Sequence, residues 1–230
     1  MRSLIALAAL LLCAGCATTG TDPRDPWEGM NRKTFEFNDA ADRAVLKPIA
    51  TGYVNVVPGF VRTGVNNFYE NITDIGTGLN NILQGKPGDG VSDLGRVAVN
   101  TVIGFFGLWD VATPMGLEKH NEDFGQTLGV WGVESGPYFV IPFLGPSTLR
   151  DAPARAVDPS WYLSKAIDNN SVYWSVWGLD QVRNRANLIK AESVLDQAAL
   201  DRYTFVRDAW LQRRRSQVFD GNPPRVKEEE

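Results

Sequence analysis

The 230-residue chain has 23 basic and 27 acidic side chains, and its net charge of −4 is too mild to favour nucleic acid as the main partner. His120 is the sole histidine, and Cys13 and Cys16 are the two cysteines. Ser-His-Asp, Cys-His and His-rich zinc sites therefore rest on His120 or are absent. No Gly-x-Ser-x-Gly elbow or P-loop occurs, and no catalytic residue, metal ligand or cofactor is expected.

The chain opens with Arg2, an apolar run from Leu4 to Leu12, and then Cys13-Ala14-Gly15-Cys16. One positive charge, a short apolar segment and small residues before a break make a secretory leader over residues 1–15. The run falls short of the roughly 20 residues needed to span a bilayer. Ala14-Gly15-Cys16 resembles the end of a bacterial lipobox, which makes Cys16 the expected acylated N-terminus; Cys13 stands where an aliphatic residue is usual. Several acyl chains hold a protein on a membrane firmly, since each buried CH₂ contributes about 0.8 kcal/mol. Ala17 after the cysteine, by resemblance to lipoprotein sorting, points to the outer membrane. Residues 16–26 read as a lipidated start and short polar tether.

From Trp27 to about Leu46 the spacing predicts a helix that Pro48 ends. Val61, Val65, Phe68, Ile72, Ile75, Leu79 and Ile82 form one helical stripe, opposed by Asn66, Asn67, Glu70, Asn71, Asp74 and Asn80. Gly64, Gly76 and Gly78 lie inside this helix and together cost about 3 kcal/mol, so tertiary packing or lipid must hold it. A second helix is predicted over Gly90 to Ile103, with Val91, Leu94, Ala98 and Val102 aligned. The segment Gly104 to Trp109 that follows is either core or a membrane re-entrant loop. Periodicity leaves both readings open, and the anchor favours the membrane.

A short helix is expected over Asp123 to Trp131. Gly136 to Pro146, with three prolines, reads as an extended segment or short hairpin. Ser147 is the expected N-cap of a helix over Thr148 to Val157. Helices are predicted over residues 171–190 and 192–216, and residues 219–230 as a disordered tail. His120 reads as solvated, and Glu122-Asp123 as a cap for the helix after it. Arg96 and Arg150-Asp151 read as internal ion pairs, and Arg213-Arg214-Arg215 as a solvated helix end or a headgroup contact.

Together, Asp25 to Arg32, Asn66 to Asn71, Leu83 to Pro87, Arg96 to Thr101, Glu122 to Gly129 and Gly136 to Asp151 resemble the MlaA (VacJ) family of outer-membrane phospholipid-transport lipoproteins. The resemblance covers roughly residues 25–160; Trp27 and Met30 depart from the family's more usual Leu and Phe. It implies a mainly α, ring-like bundle of amphipathic helices over residues 27–218, with a short apolar extended or hairpin segment and no large sheet. It further implies an amphipathic channel, set in the outer membrane from the periplasmic side. That channel would remove misplaced phospholipids from the outer leaflet and pass them to a soluble periplasmic carrier resembling MlaC. A trimeric porin is an implied partner. A porin-associated lipoprotein without transport and an envelope hydrolase using paired carboxylates are the competing readings. A phospholipid path needs apolar walls, and the expected ones are Phe105, Phe106, Leu108, Trp109, Phe139, Val140 and Ile141. Trp174 and Trp177 suit the headgroup zone.

Overall fold

The computed structural model describes residues 22–158 and 169–224, without the side chains of 193–198. The leader, Cys16 and the tail beyond residue 224 lie outside the described residues. Among the described residues the fold is mainly α with one two-stranded sheet, as expected. Helix α1, Glu28–Ala41, runs through a π-turn at Asp42–Leu46 into α2, Lys47–Val56. Pro48 therefore does not end the helix. The wider turn sends the Lys47 N–H back to the Asp42 carbonyl, five residues away, and a new α segment starts there. Proline falls at its first positions, where a missing N–H costs least.

Helices α3, Gly59–Leu83, and α4, Pro87–Val102, form the most extensive helix pair. Their close approach needs Gly78 and Gly90. A Cβ on Gly90 would lie 2.6 Å from Ile82 Cγ1 and 2.7 Å from the Gly78 carbonyl. Gly90→Ala should therefore force α3 and α4 apart and lower stability by about 1–3 kcal/mol. Thermal unfolding in mild detergent reads this loss, and an unchanged midpoint would show that the pair can give.

Helix α5 is Phe124–Val130, followed by the hairpin of β1, Tyr138–Ile141, and β2, Gly145–Thr148. The strands are antiparallel, with Tyr138 opposite Thr148 and Ile141 opposite Gly145. Helices α6, Asp151–Val157, α7, Asn170–Ala198, and α8, Arg202–Val218, complete the described chain. Ser147 is not a helix cap; it is buried in β2, and α6 begins at Asp151, whose N–H donates to Thr148 Oγ1 at 3.3 Å. The break between the last two helices falls near residue 200, because the Asp201 carboxylate caps the N–H groups of Tyr203 and Thr204.

Asp22–Pro26 pack against the domain. The Asp25 carboxylate is fully buried; it accepts from Asn31 Nδ2 at 2.7 Å and from Arg207 and the Tyr203 hydroxyl on α8.

Candidate lipid-facing site

The predicted apolar stripes exist, but none of their residues is buried: Val65, Phe68, Ile72, Ile75 and Leu94 are half-buried and the others exposed. On α3 the buried residues are Tyr69, Asn71, Asp74, Thr77, Asn80, Asn81 and two glycines, whereas Val61, Leu79 and Ile82 are exposed. On α4 the buried ones are Gly90, Asp93, Arg96 and Asn100, with Val91 and Val102 exposed. Val56, Phe60 and Val102 are each at least 80 % exposed, while Arg96 and Asp74 are each 2 % exposed. A water-soluble domain buries its large apolar side chains and leaves charges outside. This one does the reverse over α3 and α4, and large exposed apolar patches mark a protein or membrane contact. No described helix is long and apolar enough to cross a membrane.

The polar interior is closely paired. Arg96 donates to Asp110, Thr113 and the Leu117 carbonyl, and its Nε lies 3.5 Å from Asp74. Burial raises the Asp74 carboxyl, opposed by Lys119 at 3.2 Å. Asn100 Oδ1 accepts from the N–H groups of Val111 and Ala112, which stitches the following loop to α4. His120 is not simply solvated, because its Nδ1 lies 3.2 Å from Asp93. Asp123 caps α5 by accepting the Gln126 N–H, and the expected ion pairs of Arg96 and Arg150 are present.

The expected wall residues separate into two places. Phe105, Phe106 and Trp109 form an exposed aromatic tip at the end of α4, with ring centroids 5.6 Å and 6.2 Å apart. Phe105 and Phe106 hold φ of +53° and +58°, a costly backbone for aromatic residues of about 1–3 kcal/mol each. The turn nonetheless pairs much of its backbone from within. Phe106 donates to the Thr101 carbonyl, Gly107 to Asn100 and Trp109 to Gly104, and Asn67 Nδ2 reaches the Leu108 carbonyl at 3.1 Å. Leu108 is half-buried against Gly64.

Phe139 and Ile141 lie half-buried on β1, with Phe139 against Trp27. Val140 is 3 % exposed and packs in the cluster of Tyr138 and Tyr203, so it supports the hairpin from behind. Two asparagines two turns apart on α1 hold this hairpin by its backbone. Asn31 donates to the Tyr138 carbonyl and accepts the Val140 N–H; Asn38 donates to the Ile141 carbonyl and accepts the Phe143 N–H. Neither asparagine was singled out from the sequence, although their spacing of seven on one helix face was the available signal. The hairpin turn carries Phe143, 73 % exposed and stacked edge-on with Phe37 at 5.1 Å. Trp174 and Trp177 on α7 are exposed and pack together at 5.7 Å.

A cavity of about 1000 Å³ opens between the loop after α5 and α8, lined among others by Arg24, Val133, Arg150, Leu211 and Phe219. None of the expected wall residues lines it.

The family model for the MlaA lipoprotein matches residues 23–217. The chain belongs to the MlaA lipoprotein family. The relatives agree with this. The chain is 36 % identical over 219 residues to the intermembrane phospholipid transport system lipoprotein MlaA of Escherichia coli, covering 92 % of this chain and 86 % of the relative. It is 30 % identical to the protein of the same name from Haemophilus influenzae, covering 98 % and 93 %. A solved structure described as the basis for maintenance of bacterial outer membrane lipid asymmetry superposes with a TM-score of 0.74 at 32 % identity. That match covers 86 % of this chain and 99 % of that one. The family match extends through α8, well past the stretch over which the sequence motifs are specific.

Proposed function

We propose that this chain is an outer-membrane lipoprotein that forms an amphipathic channel for phospholipids. Misplaced lipids leave the outer leaflet through it and pass to a soluble periplasmic carrier, which maintains lipid asymmetry. The observation that carries this reading is the inverted polarity of α3 and α4: apolar residues outside for acyl chains, and a paired polar interior that holds the helices together. The relatives' role in intermembrane phospholipid transport supports it. Acyl chains on Cys16 fix the chain to the membrane from the periplasmic side, and the Phe105, Phe106 and Trp109 tip enters the lipid with Leu108 behind it. Phe139 and Ile141 meet the moving lipid on the hairpin, with Val140 as internal support. The other partners are a trimeric porin in the membrane and a carrier resembling MlaC in the periplasm. The protein moves lipid without altering it covalently.

The test is a deletion strain of the source bacterium, assayed for outer-leaflet phospholipid and for sensitivity to detergent plus chelator. Both should rise and return to normal with the wild-type gene. Unchanged outer-leaflet phospholipid in the deletion strain would overturn the reading.

A further inference from the structure

A second cavity, of about 250 Å³, lies where α2, α3 and α7 meet, lined by Tyr53, Gly59, Arg62, Thr63, Asn66 and Asn187 together with Ala186. Three features set it apart. First, the Tyr53 hydroxyl is shielded from water yet has no hydrogen-bond partner among the described residues, an arrangement that costs about 1–3 kcal/mol. Secondly, Arg62 makes no ion pair among the described residues. Its Nε donates to the Val57 carbonyl at 3.1 Å, which leaves its two terminal nitrogens to donate elsewhere. Arg96, Arg185, Arg207 and Arg214 by contrast each engage at least two carboxylates. Thirdly, Asn66 Oδ1 is already shared by Asn187 Nδ2 at 3.2 Å and Arg183 at 3.5 Å, so its own amide nitrogen remains a donor.

Unused donors and an uncompensated guanidinium meet in a cavity that no carboxylate of the described residues lines. Such a site calls for an oxyanion, and arginine matches phosphate in particular. The start of α3 at Gly59 adds the positive end of a helix dipole. Size limits the guest, because sites for drug-sized molecules run about 300–1,000 Å³, so 250 Å³ takes a headgroup and not a whole diacyl lipid. The corner between α2 and α3 supplies the rest: Val56 and Phe60, close in the chain to the lining residues Tyr53 and Gly59, are exposed apolar surface.

We propose that this cavity binds the phosphate of a phospholipid, with Arg62, Tyr53 and Asn66 as donors and the acyl chains lying over Val56 and Phe60. The proposal rests on the lipid-channel reading and adds to it a phosphate-selective station.

The test titrates the full-length purified protein in detergent with dioleoyl phosphatidylglycerol, dioleoylglycerol or inorganic phosphate, with bound ligand read by native mass spectrometry. Arg62→Gln should weaken phosphatidylglycerol binding by about tenfold or more, and Tyr53→Phe by several-fold, with dioleoylglycerol unchanged in both. Tyr53→Phe keeps the proposal falsifiable should Arg62→Gln fold poorly. It removes a hydroxyl with no protein partner, so its melting temperature should equal or exceed the wild type's while phospholipid binding falls. Wild-type phosphatidylglycerol binding in both variants overturns the site and leaves the channel reading standing. Loss of inorganic phosphate binding in Arg62→Gln with phospholipid binding intact also overturns it, because the cavity then serves the free ion. A wild-type protein that retains neither lipid overturns the channel reading and this site together.

Discussion

Arg214→Met is expected to lower the unfolding free energy by about 3–5 kcal/mol, the cost of removing one partner from a buried ion pair. Arg214 on α8 grips two carboxylates at once. Its terminal nitrogens reach both oxygens of Asp123 at 2.6 and 2.7 Å, while Nε and a terminal nitrogen reach both oxygens of Asp151 at 3.0 Å. That single side chain ties the C-terminal helix to α5 and α6. Asp151 is 2 % exposed and would be left as a buried charge whose remaining ion-pair partner among the described residues is Arg150. Asp123 is partly exposed, so water softens its share of the loss. The exposed neighbour Arg213→Met should change stability by less than about 0.5 kcal/mol, which separates the clamp from a general charge effect.

The clamp also sets a pH dependence. Burial pushes both carboxyls up, but the hydrogen bonds and charge of Arg214, joined by Gln126 at Asp123 and by Arg150 at Asp151, together outweigh it and hold both below the usual carboxylate range. A depressed folded value means stability that is present above the unfolded pKa, about 3.9, and lost as pH falls below it towards the folded values. Wild-type stability should therefore drop steeply in acid, and the Arg214→Met profile should be flatter over the same range. Parallel profiles would show that the clamp contributes nothing to acid sensitivity.

Phe106→Asp carries the largest expected effect on membrane attachment and lipid transfer. Phe106 is 66 % exposed on a turn that pairs most of its backbone N–H groups, so the substitution changes the surface and leaves the polar interior untouched. Withdrawing a phenylalanine from lipid loses about 1.5–3 kcal/mol, and a carboxylate at membrane depth adds about 2 kcal/mol or more. The sum corresponds to roughly a thousandfold in partition to vesicles. Vesicle flotation measures that shift, and lipid retrieval in cells should fall with it. A variant that floats and retrieves lipid like the wild type would remove the aromatic tip from the lipid-contacting surface.

The helices were legible because their apolar residues repeat with the helical period, and that pattern located α3 and α4 to within a few residues. Which side faces inward was not legible. Periodicity shows that Val61 to Ile82 share a face, but the same stripe serves a water-facing protein and a lipid-facing one, and only the pairing of Asn81 with Asp93 and of Arg96 with Asp110 decides it. Pro48 misled because a π-turn can reset the hydrogen-bond register just before a proline, and no local sequence rule announces such a turn. Ser147 misled because a serine before a helical pattern fits a hairpin strand equally well. Arg214 read as part of a solvated helix end or a headgroup contact, since its two carboxylate partners lie 91 and 63 residues away in the chain. The hairpin itself was legible from its prolines and glycines, whereas its two asparagine clamps depend on α1 lying alongside β1.

The central claim is that the folded domain itself enters the membrane, independently of its acyl anchor. The direct test is flotation with phospholipid vesicles of a chain that begins at Ala17, exported on an unrelated cleavable leader so that neither the native leader nor Cys16 remains. The account predicts that this unlipidated protein floats with the vesicles and needs detergent to stay monomeric once extracted. A freely soluble monomer left at the bottom of the gradient would contradict it.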